Sequence, residues 1–279
     1  MNEQSIIETI KQRRSIRTFQ EKRLSDEDYN KITFHIKTLN NPFGVKVNIY
    51  IVNKSLDKKG EKLGTYGVIK GAETFLGVTV HNEKNNFIAA GYEFENLILY
   101  AASIGLGTVW LAATFSKKNF ASAMGIKDDE LFPAISPIGY PAEKRSIKES
   151  IMRSALKSDN RKPWEELFFN NNFDTPIHND ETEDYQLCLE MMRLAPSSKN
   201  QQPWRVVKKG GIYHFFAEYS KKISDEEKAV KEVDMGISLY HFHKTAETLG
   251  KTGSFKVIEN LDINIPENIY YIISWVENN

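Results

Sequence analysis

The spacing of hydrophobic and polar positions along the chain predicts both helices and strands. Apolar residues three and four positions apart indicate a helical face, whereas alternation or a short unbroken apolar run between turn residues indicates a strand. The predicted helices cover residues 5–11, 25 to about 39, 86–104 and 185–194. The predicted strands cover residues 45–51, 74–80 and 133–139, and a strand-like pattern begins again at 205–207. Helices and strands are therefore interspersed along the chain.

Two of the predicted helices carry further local signals. Ser25 stands where an N-cap is expected, and Asp28 lies near the third helical position, where Glu would be the stronger partner in a capping box. In the helix of residues 86–104, Gly91, Phe94 and Ala101 fall on one stripe. Small residues on that stripe would let another helix approach closely.

Composition and charge limit the possible classes of protein. At 279 residues the chain can bury a full core, as one large domain or as two halves of about 140 residues each. The 37 basic and 37 acidic residues balance, so no global attraction to nucleic acid or to an anionic membrane is expected. Cys188 is the only cysteine, which excludes an intrachain disulfide. With no evident signal peptide or membrane-spanning run, we expect a soluble, cytoplasmic protein.

A polar loop follows the predicted helix of residues 185–194. Its sequence from Ala195 to Trp204 is APSSKNQQPW, and Pro196 explains why the helix ends there, because proline disfavours the helical conformation of the preceding residue. Two hydroxyls, several amides and a lysine between two prolines suit the binding of a polar, planar ligand. The alternative is an ordinary connection in which Ser and Asn side chains satisfy their own backbone.

A second polar segment follows the first predicted helix. Three guanidinium groups and a hydroxyl fall within five residues, at Arg13, Arg14, Ser15 and Arg17. The planar guanidinium group matches phosphate oxygens, and the serine adds a short donor beside it. The segment is therefore a candidate anion site. The alternative is a basic, solvated helix end that favours the negative end of the helix dipole.

Both segments resemble motifs of the nitroreductase family of flavin enzymes. APSSKNQQPW is similar to the family's loop, Ala-Pro-Ser, one or two small or polar residues, Asn, any residue, Gln-Pro-Trp, and RRSIRTF is similar to its Arg-Arg-Ser-x-Arg-x-Phe. The resemblance implies that the FMN phosphate and ribityl chain are held by Arg13, Arg14, Ser15 and Arg17. It also implies that the loop lies at a dimer interface and touches FMN bound mainly by the other subunit, through Pro196, Ser197, Ser198 and Asn200.

A third segment, GLGTVWLAA at residues 105–113, resembles the family's Gly-Leu-Gly-Thr-x-Trp. The resemblance implies that the isoalloxazine edge is lined by Trp110 and Leu111. It also implies that backbone amides reach toward flavin N5 near Ala112 and Ala113. The alternative for Trp110 is a core aromatic that follows a buried strand.

Two more parts of the chain resemble the family. Thr65 lies near the position of a further polar contact to the flavin. The apolar strand that ends in Gly-Tyr-Pro at 139–141 is followed by basic residues. Among these, Lys144 and Arg145 are candidates for the second side of the phosphate clamp, and both could equally be solvated.

The second half of the chain repeats parts of the first. Gly91, Phe94, Ala101 and Gly105 correspond to residues 145 positions later, namely Gly236, Leu239, Ala246 and Gly250. The chemistry differs between the copies: the four residues of the basic segment fall opposite Asn170, Asn171, Asn172 and Asp174, and the 196–200 loop falls opposite residues 40–44. We therefore expect two related halves, 1–158 and 159–279, that form an intramolecular pseudo-dimer with one complete FMN site between the halves.

The resemblance implies a nitroreductase-like α+β fold, with antiparallel-rich mixed sheets flanked by helices, and an FMN-dependent NAD(P)H oxidoreductase. NADH or NADPH would reduce the flavin through N5, and a small electron acceptor such as a nitroaromatic or a quinone would be reduced in turn, by ping-pong kinetics. The alternative is a non-catalytic flavin-binding or sensing protein, which the loss of one site suggests. No motif indicates a metal site or a hydrolytic centre.

The partners follow from the same features. A nucleic-acid-binding role for the basic segment is the weakest hypothesis, since no aromatic residues are interleaved with it and the net charge is zero. We expect a small-molecule electron acceptor and neither a nucleic-acid nor a membrane partner. Fusion of two halves removes one reason to dimerise without forbidding it, so a monomeric pseudo-dimer is expected.

Overall fold

The computed structural model describes residues 5–54, 63–143, 150, 154, 160–178 and 185–278. The chain divides into two compact units, Met1–Asp159 and Asn160–Asn279. Each unit contains helices and one sheet, so the chain is a mixed α+β protein with two sheets. This confirms the mixed helix and strand content that the sequence predicts.

The first unit has one antiparallel sheet. Its elements in chain order are α1 (Ile6–Gln12), α2 (Asp26–Ile36), β1 (Val47–Asn53), β2 (Thr74–Val80), α3 (Asn86–Ser103), β3 (Gly107–Thr108), α4 (Lys117–Met124) and β4 (Leu131–Gly139). The strand order is β1-β2-β4-β3, and all neighbouring strands are antiparallel. Helix α3 packs on this sheet, and the core between them includes Leu76, Val78, Phe94, Leu97 and Ile98. Each such side chain contributes about 1.5 to 3 kcal/mol by leaving water.

The local signals in the sequence are confirmed at Ser25 but are wrong at several boundaries, including the start of β4, which lies at Leu131 rather than residue 133. The Ser25 side chain accepts the N–H of Asp28 at 3.1 Å and caps α2. Helix α2 ends at Ile36 rather than near residue 39, because the following N–H groups bond three residues back instead of four. Strand β1 begins at Val47 rather than residue 45, because the Asn41 side chain bonds both backbone groups of Val45.

The second unit has a five-stranded sheet. Its elements in chain order are β5 (Phe168–Asn170), α5 (Gln186–Arg193), β6 (Trp204–Lys209), β7 (Ile212–Glu218), α6 (Asp225–Thr248), β8 (Gly253–Lys256) and β9 (Ile269–Glu277). The strand order is β5-β6-β7-β9-β8, with β5 parallel to β6 and the other pairs antiparallel. Helix α6 begins at a complete capping box formed by Ser224 and Glu227.

The two units share a chain order and a strand order. Each continues from a helix into two antiparallel strands, a long helix, a short strand and a long strand, and in the first unit α4 lies between the last two. Strands β6-β7-β9-β8 of the second unit follow the same order as β1-β2-β4-β3 of the first, with the same antiparallel pairing. Strand β5 is an addition at the edge of the second sheet.

The long helices α3 and α6 end in the same way. Leu106 N–H bonds the Ala101 carbonyl oxygen at 2.9 Å, and Lys251 N–H bonds the Ala246 carbonyl oxygen at 2.9 Å. The glycine before each donor has a left-handed backbone, with φ of 84° at Gly105 and 71° at Gly250. This is the Schellman geometry that glycine permits. The two caps lie 145 positions apart, at the spacing of the sequence repeat.

Within the part of the chain that the structure describes, no helix has the length and apolar character needed to cross a membrane.

Candidate functional site

The basic segment runs as extended chain through the first unit and joins three other segments by backbone hydrogen bonds. Ser15 lies in a parallel bridge with Thr108, and Ile16 N–H bonds the Thr108 carbonyl oxygen at 2.9 Å. Lys70 N–H donates to the Arg17 carbonyl oxygen at 2.9 Å. Further along, Gln20 N–H bonds the Tyr140 carbonyl oxygen at 2.9 Å. The fold therefore brings together the segments for which the sequence predicts contacts with the same ligand.

Two glycines allow this close approach. A Cβ at Gly71 would lie 2.1 Å from the Phe19 carbonyl oxygen, and Gly71 also has a φ of 78°. A Cβ at Gly107 would lie 3.0 Å from three carbon atoms of Ile16. Glycine at these positions thus lets the basic segment lie directly against β3 and the 64–71 loop.

The basic residues differ in their surroundings. Arg13 is the C-cap of α1 and is half-buried, as are Ser15 and Arg17. Arg14 is exposed, and its Nη1 donates to the Lys11 carbonyl oxygen at 2.6 Å and to the Arg13 carbonyl oxygen at 2.9 Å. Arg14 therefore also makes the helix-end contact that the alternative interpretation of this segment predicts.

Trp110 follows β3 and has a defined orientation. It is half-buried, its Nε1 donates to Glu95 Oε2 at 2.7 Å, and its ring meets the Phe94 ring edge-on at 4.9 Å between centroids. Glu95 is fully buried on α3. A buried carboxylate is costly without such a hydrogen bond. The bond between Glu95 and Trp110 therefore fixes both side chains.

The residues after Trp110 differ in burial. Leu111 is 4% exposed, packs in a core cluster with Phe19 and Phe115, and donates its N–H to the Ile135 carbonyl oxygen at 2.9 Å. Ala112 is half-buried and Ala113 is exposed. Thr65 is buried, in a loop whose Gly64 carbonyl oxygen accepts Ser116 N–H at 2.9 Å. Lys144 and Arg145 lie outside the described residues.

In the second unit, the loop after α5 forms a short 3-10 turn at Ser198–Asn200. Pro196, Ser197 and Ser198 are half-buried. Ser197 Oγ accepts the N–H of Gln202 at 2.8 Å, and Asn200 Nδ2 donates to the Asn160 carbonyl oxygen at 3.0 Å. The Ser197 bond is the local backbone contact expected of an ordinary connection.

Helix α6 also contacts this loop, through residues that the sequence analysis missed. Both carboxylate oxygens of Asp234 accept Ser198 N–H, at 2.9 and 3.1 Å. Burial raises the pKa of Asp234 to about 7, against the opposing effects of the Ser198 N–H and of Lys231. Lys231 donates from Nζ to Gln201 Oε1. A single acidic residue inside the apolar run Val233–Tyr240 is the signal that marks Asp234 in the sequence.

A cleft of about 760 Å³ lies in the second unit beside the end of the loop. It is bordered by Gln201 and Pro203 and by residues of both charges, among them Glu218, Lys222 and Lys231. Within the described residues, no group of three or more His, Cys, Asp or Glu side chains is arranged to hold a metal ion. Burial raises the pKa of the Cys188 thiol to about 12, so this cysteine is not a ready nucleophile.

The basic segment has a donor set that fits a phosphate-bearing cofactor. Arg13, Arg14 and Arg17 bring three cations, Ser15 adds a hydroxyl, and residues 9–20 contain no carboxylate to compete for them. Gly107 leaves space that a Cβ would fill beside this segment. Guanidinium groups form paired charge-assisted hydrogen bonds with phosphate oxygens.

Comparison with known proteins identifies the family. The chain belongs to the family described as "Putative TM nitroreductase", whose profile matches residues 5–246. The nitroreductase resemblance seen in the motifs is therefore confirmed. No protein of curated function matches the chain.

One solved structure that matches over the whole chain gives the same result for the fold. A crystal structure described as a putative nitroreductase from Thermotoga maritima MSB8 is 18% identical, with a TM-score of 0.64, and the match covers 100% of this chain and 96% of that one. A nitroreductase with bound FMN from Bacteroides fragilis NCTC 9343 is 19% identical, with a TM-score of 0.43 over 52% of this chain and 92% of its own. A nitroreductase with bound FMN from Desulfitobacterium hafniense DCB-2 is 18% identical, with a TM-score of 0.43 over 52% and 92%.

Proposed function

We propose that the protein is an FMN-dependent oxidoreductase that uses NADH or NADPH to reduce a small acceptor such as a nitroaromatic or a quinone. The observation that carries this proposal is the bridge between Ser15 and Thr108, which joins the basic segment to the strand that leads into Trp110. The phosphate-binding and ring-binding segments are thereby neighbours within one unit. Family membership and the FMN bound by related nitroreductases support the same function.

The chain's own residues have distinct roles in this proposal. Arg13, Arg14 and Arg17 bind the FMN phosphate, and Ser15 donates a hydrogen bond beside them. Bound FMN supplies the hydride chemistry at N5, and the protein supplies binding, orientation and tuning. Lys144 and Arg145 are the candidates for the second side of the phosphate clamp.

The segment from Trp110 onward forms the part of the site that faces the flavin ring. Glu95 fixes the indole of Trp110 by its hydrogen bond. The exposed Ala113 and the half-buried Ala112 leave their backbone open to a ligand, and Leu111 supports them from the core. Thr65 adds a polar contact.

We propose further that the chain binds one FMN, with the 196–200 loop of the second half completing the site. The two halves, 1–158 and 159–279, are then a duplicated pair that acts as a pseudo-dimer within a monomer. The second half offers no equivalent of the basic segment. Asn170 and Asn172 lie there instead, in a turn where Asp174 N–H bonds Asn172 Oδ1 at 2.8 Å. A polypeptide without guanidinium groups at this turn is poorly suited to a phosphate.

Turnover assays test the enzyme proposal. We expect NADH or NADPH oxidation with a nitroaromatic or quinone acceptor at a rate well above that of free FMN at the same concentration. Double-reciprocal plots should give parallel lines, because reductant and acceptor use the same open face in turn. Converging lines would contradict a shared pocket. Tight FMN binding with no turnover above the control would instead identify a flavin-binding or sensing protein.

A further inference from the structure

The loop after α5 has an unfavourable backbone conformation. Lys199, Asn200 and Gln202 have positive φ angles of 50°, 56° and 48°. Residues with a Cβ rarely adopt this left-handed region, and three of them within four positions is uncommon. Contacts from outside the loop must therefore offset the strain.

Helix α6 supplies those contacts at two points, one turn apart. Asp234 accepts the Ser198 N–H with both carboxylate oxygens, at 2.9 and 3.1 Å. Lys231 donates to the Gln201 side chain. Asp234 is only 3% exposed. A buried carboxylate is expensive unless it is paired and hydrogen-bonded, so its presence under the loop calls for a function beyond packing.

The first unit provides an internal comparison. The Schellman caps of α3 and α6 fix the correspondence between these helices at 145 positions. At that spacing, Asp234 corresponds to Ala89, which is fully buried on α3, and Lys231 corresponds to Asn86. The carboxylate therefore occurs in the unit that has the APSSKNQQPW loop. The other unit has residues 40–44 in place of this loop, and it has an alanine at the position aligned with Asp234.

We propose that Asp234 is a positioning residue, which holds the 197–202 loop, with Lys199, Asn200 and Gln202 in the left-handed region, in the conformation that contacts FMN. This inference rests on the proposed function. Asp234 does not touch the cofactor in this account. It acts through the Ser198 backbone N–H. Lys231, one helical turn before Asp234, supports the same loop through the Gln201 side chain.

The variants Asp234→Ala and Asp234→Asn test the inference, with Glu232→Gln as the matched control. Glu232 is a half-buried carboxylate on the same helix, and it forms an ion pair with Lys228 at 3.9 Å. Asn can still accept the Ser198 N–H, so Asp234→Asn should rescue most of the loss. Thermal melting and far-ultraviolet circular dichroism would establish that each variant is folded.

Two readouts are needed. Hydrogen exchange of the peptide that covers residues 195–204, measured without FMN, should become at least about tenfold faster in Asp234→Ala, because the hydrogen bond from the Ser198 N–H to the buried Asp234 side chain is lost. The FMN dissociation constant should rise by about 10- to 100-fold in Asp234→Ala. Asp234→Asn and Glu232→Gln should stay within about threefold of the wild type.

Each outcome decides the inference. Unchanged exchange in Asp234→Ala, or faster exchange with an unchanged FMN dissociation constant, would overturn it. A loss of FMN affinity as large in Glu232→Gln would also overturn it, because the effect would then be general destabilisation of α6. A wild-type protein that binds no FMN would overturn the proposed function, and the exchange measurement would still show separately whether Asp234 orders the loop.

Discussion

Ser15 and Thr108 lie side by side in a parallel backbone bridge, and the neighbouring Ile16 N–H bonds the Thr108 carbonyl oxygen at 2.9 Å. The bridge ties the chain after α1 to the short strand β3. Gly107 makes this approach possible, because a side chain there would press on Ile16.

Gly107→Ala should therefore weaken FMN binding. The new Cβ would lie 3.0 Å from Ile16 and would push the basic segment away from β3, at a cost of about 1 to 3 kcal/mol. Gly125→Ala is the control, because it introduces strain at a φ of 68° with open space around it and no contact to the basic segment. Both variants should melt at lower temperature, but only Gly107→Ala should raise the FMN dissociation constant. Equal FMN affinities would argue against the bridge as part of the site.

Replacing Arg14 and Arg17 together by Ala should release FMN. Each lost charge-assisted hydrogen bond is worth about 1.5 to 3 kcal/mol, so the double variant should bind FMN at least about 100-fold more weakly. Fluorescence titration with FMN measures this directly. Arg23→Ala removes an exposed arginine nine positions after Arg14 and should leave the affinity unchanged. An unaltered dissociation constant in the double variant would refute the phosphate assignment.

Ser198→Ala and Asn200→Ala should each weaken FMN binding by about 3- to 10-fold, the effect of one uncharged hydrogen bond. Asn41→Ala, at the corresponding place in the first half, should leave FMN binding unchanged. It should instead destabilise the fold, because Asn41 Nδ2 bonds Glu93 Oε1 at 2.5 Å and the Val45 carbonyl oxygen at 2.7 Å. Weaker FMN binding in Asn41→Ala would contradict the asymmetry of the two halves.

Glu130 should control the acid stability of the first unit. Burial raises its pKa, but hydrogen bonds from Thr79, the Lys127 N–H, Tyr50 and Asn48 outweigh burial and lower the pKa to about 2. A depressed carboxyl pKa stabilises the fold above the ordinary value of 4.5, and this stabilisation is lost as pH falls from 4.5 toward 2.

Glu130→Gln should accordingly lower the free energy of unfolding by about 2 kcal/mol at pH 7 and flatten its dependence on pH below 4.5. Urea unfolding between about pH 2 and about pH 7, which spans the pKa of Glu130 in the folded and unfolded states, measures both effects. The exposed neighbour Asp128 provides the control, and Asp128→Asn should change neither quantity. An unchanged slope with pH in Glu130→Gln would refute the assignment.

Much of the fold can be predicted from the sequence where local signals and burial agree. The apolar run at 74–80 is strand β2 along its whole length, and Ser25 is an N-cap as its position before Asp26 indicates. The local pattern gives a wrong prediction where a distant or irregular contact determines the structure. The apolar Val45 looks like the start of a strand, yet the Asn41 side chain takes its backbone groups and delays β1 to Val47.

The candidate site, like the fold, can be predicted only in part from the sequence. The motifs indicate which segments matter, but not that Ser15 bridges Thr108, since this depends on the folded path of residues 92 positions or more apart. Asp234 and Glu95 were missed because each acts through a partner far away in sequence, Ser198 and Trp110 respectively. Asp234 is the single acidic residue of the stretch Val233–Tyr240, whereas Glu95 has Glu93 two positions before it on α3 and carries no such signal.

The central claim is one FMN per chain, and flavin stoichiometry tests it most directly. The visible spectrum of the purified protein, followed by release, identification and quantitation of the flavin against protein, should give one FMN per chain. Two flavins per chain would contradict the asymmetric site. No flavin, even after FMN is added back, would contradict the proposal that this protein is a flavin-dependent oxidoreductase.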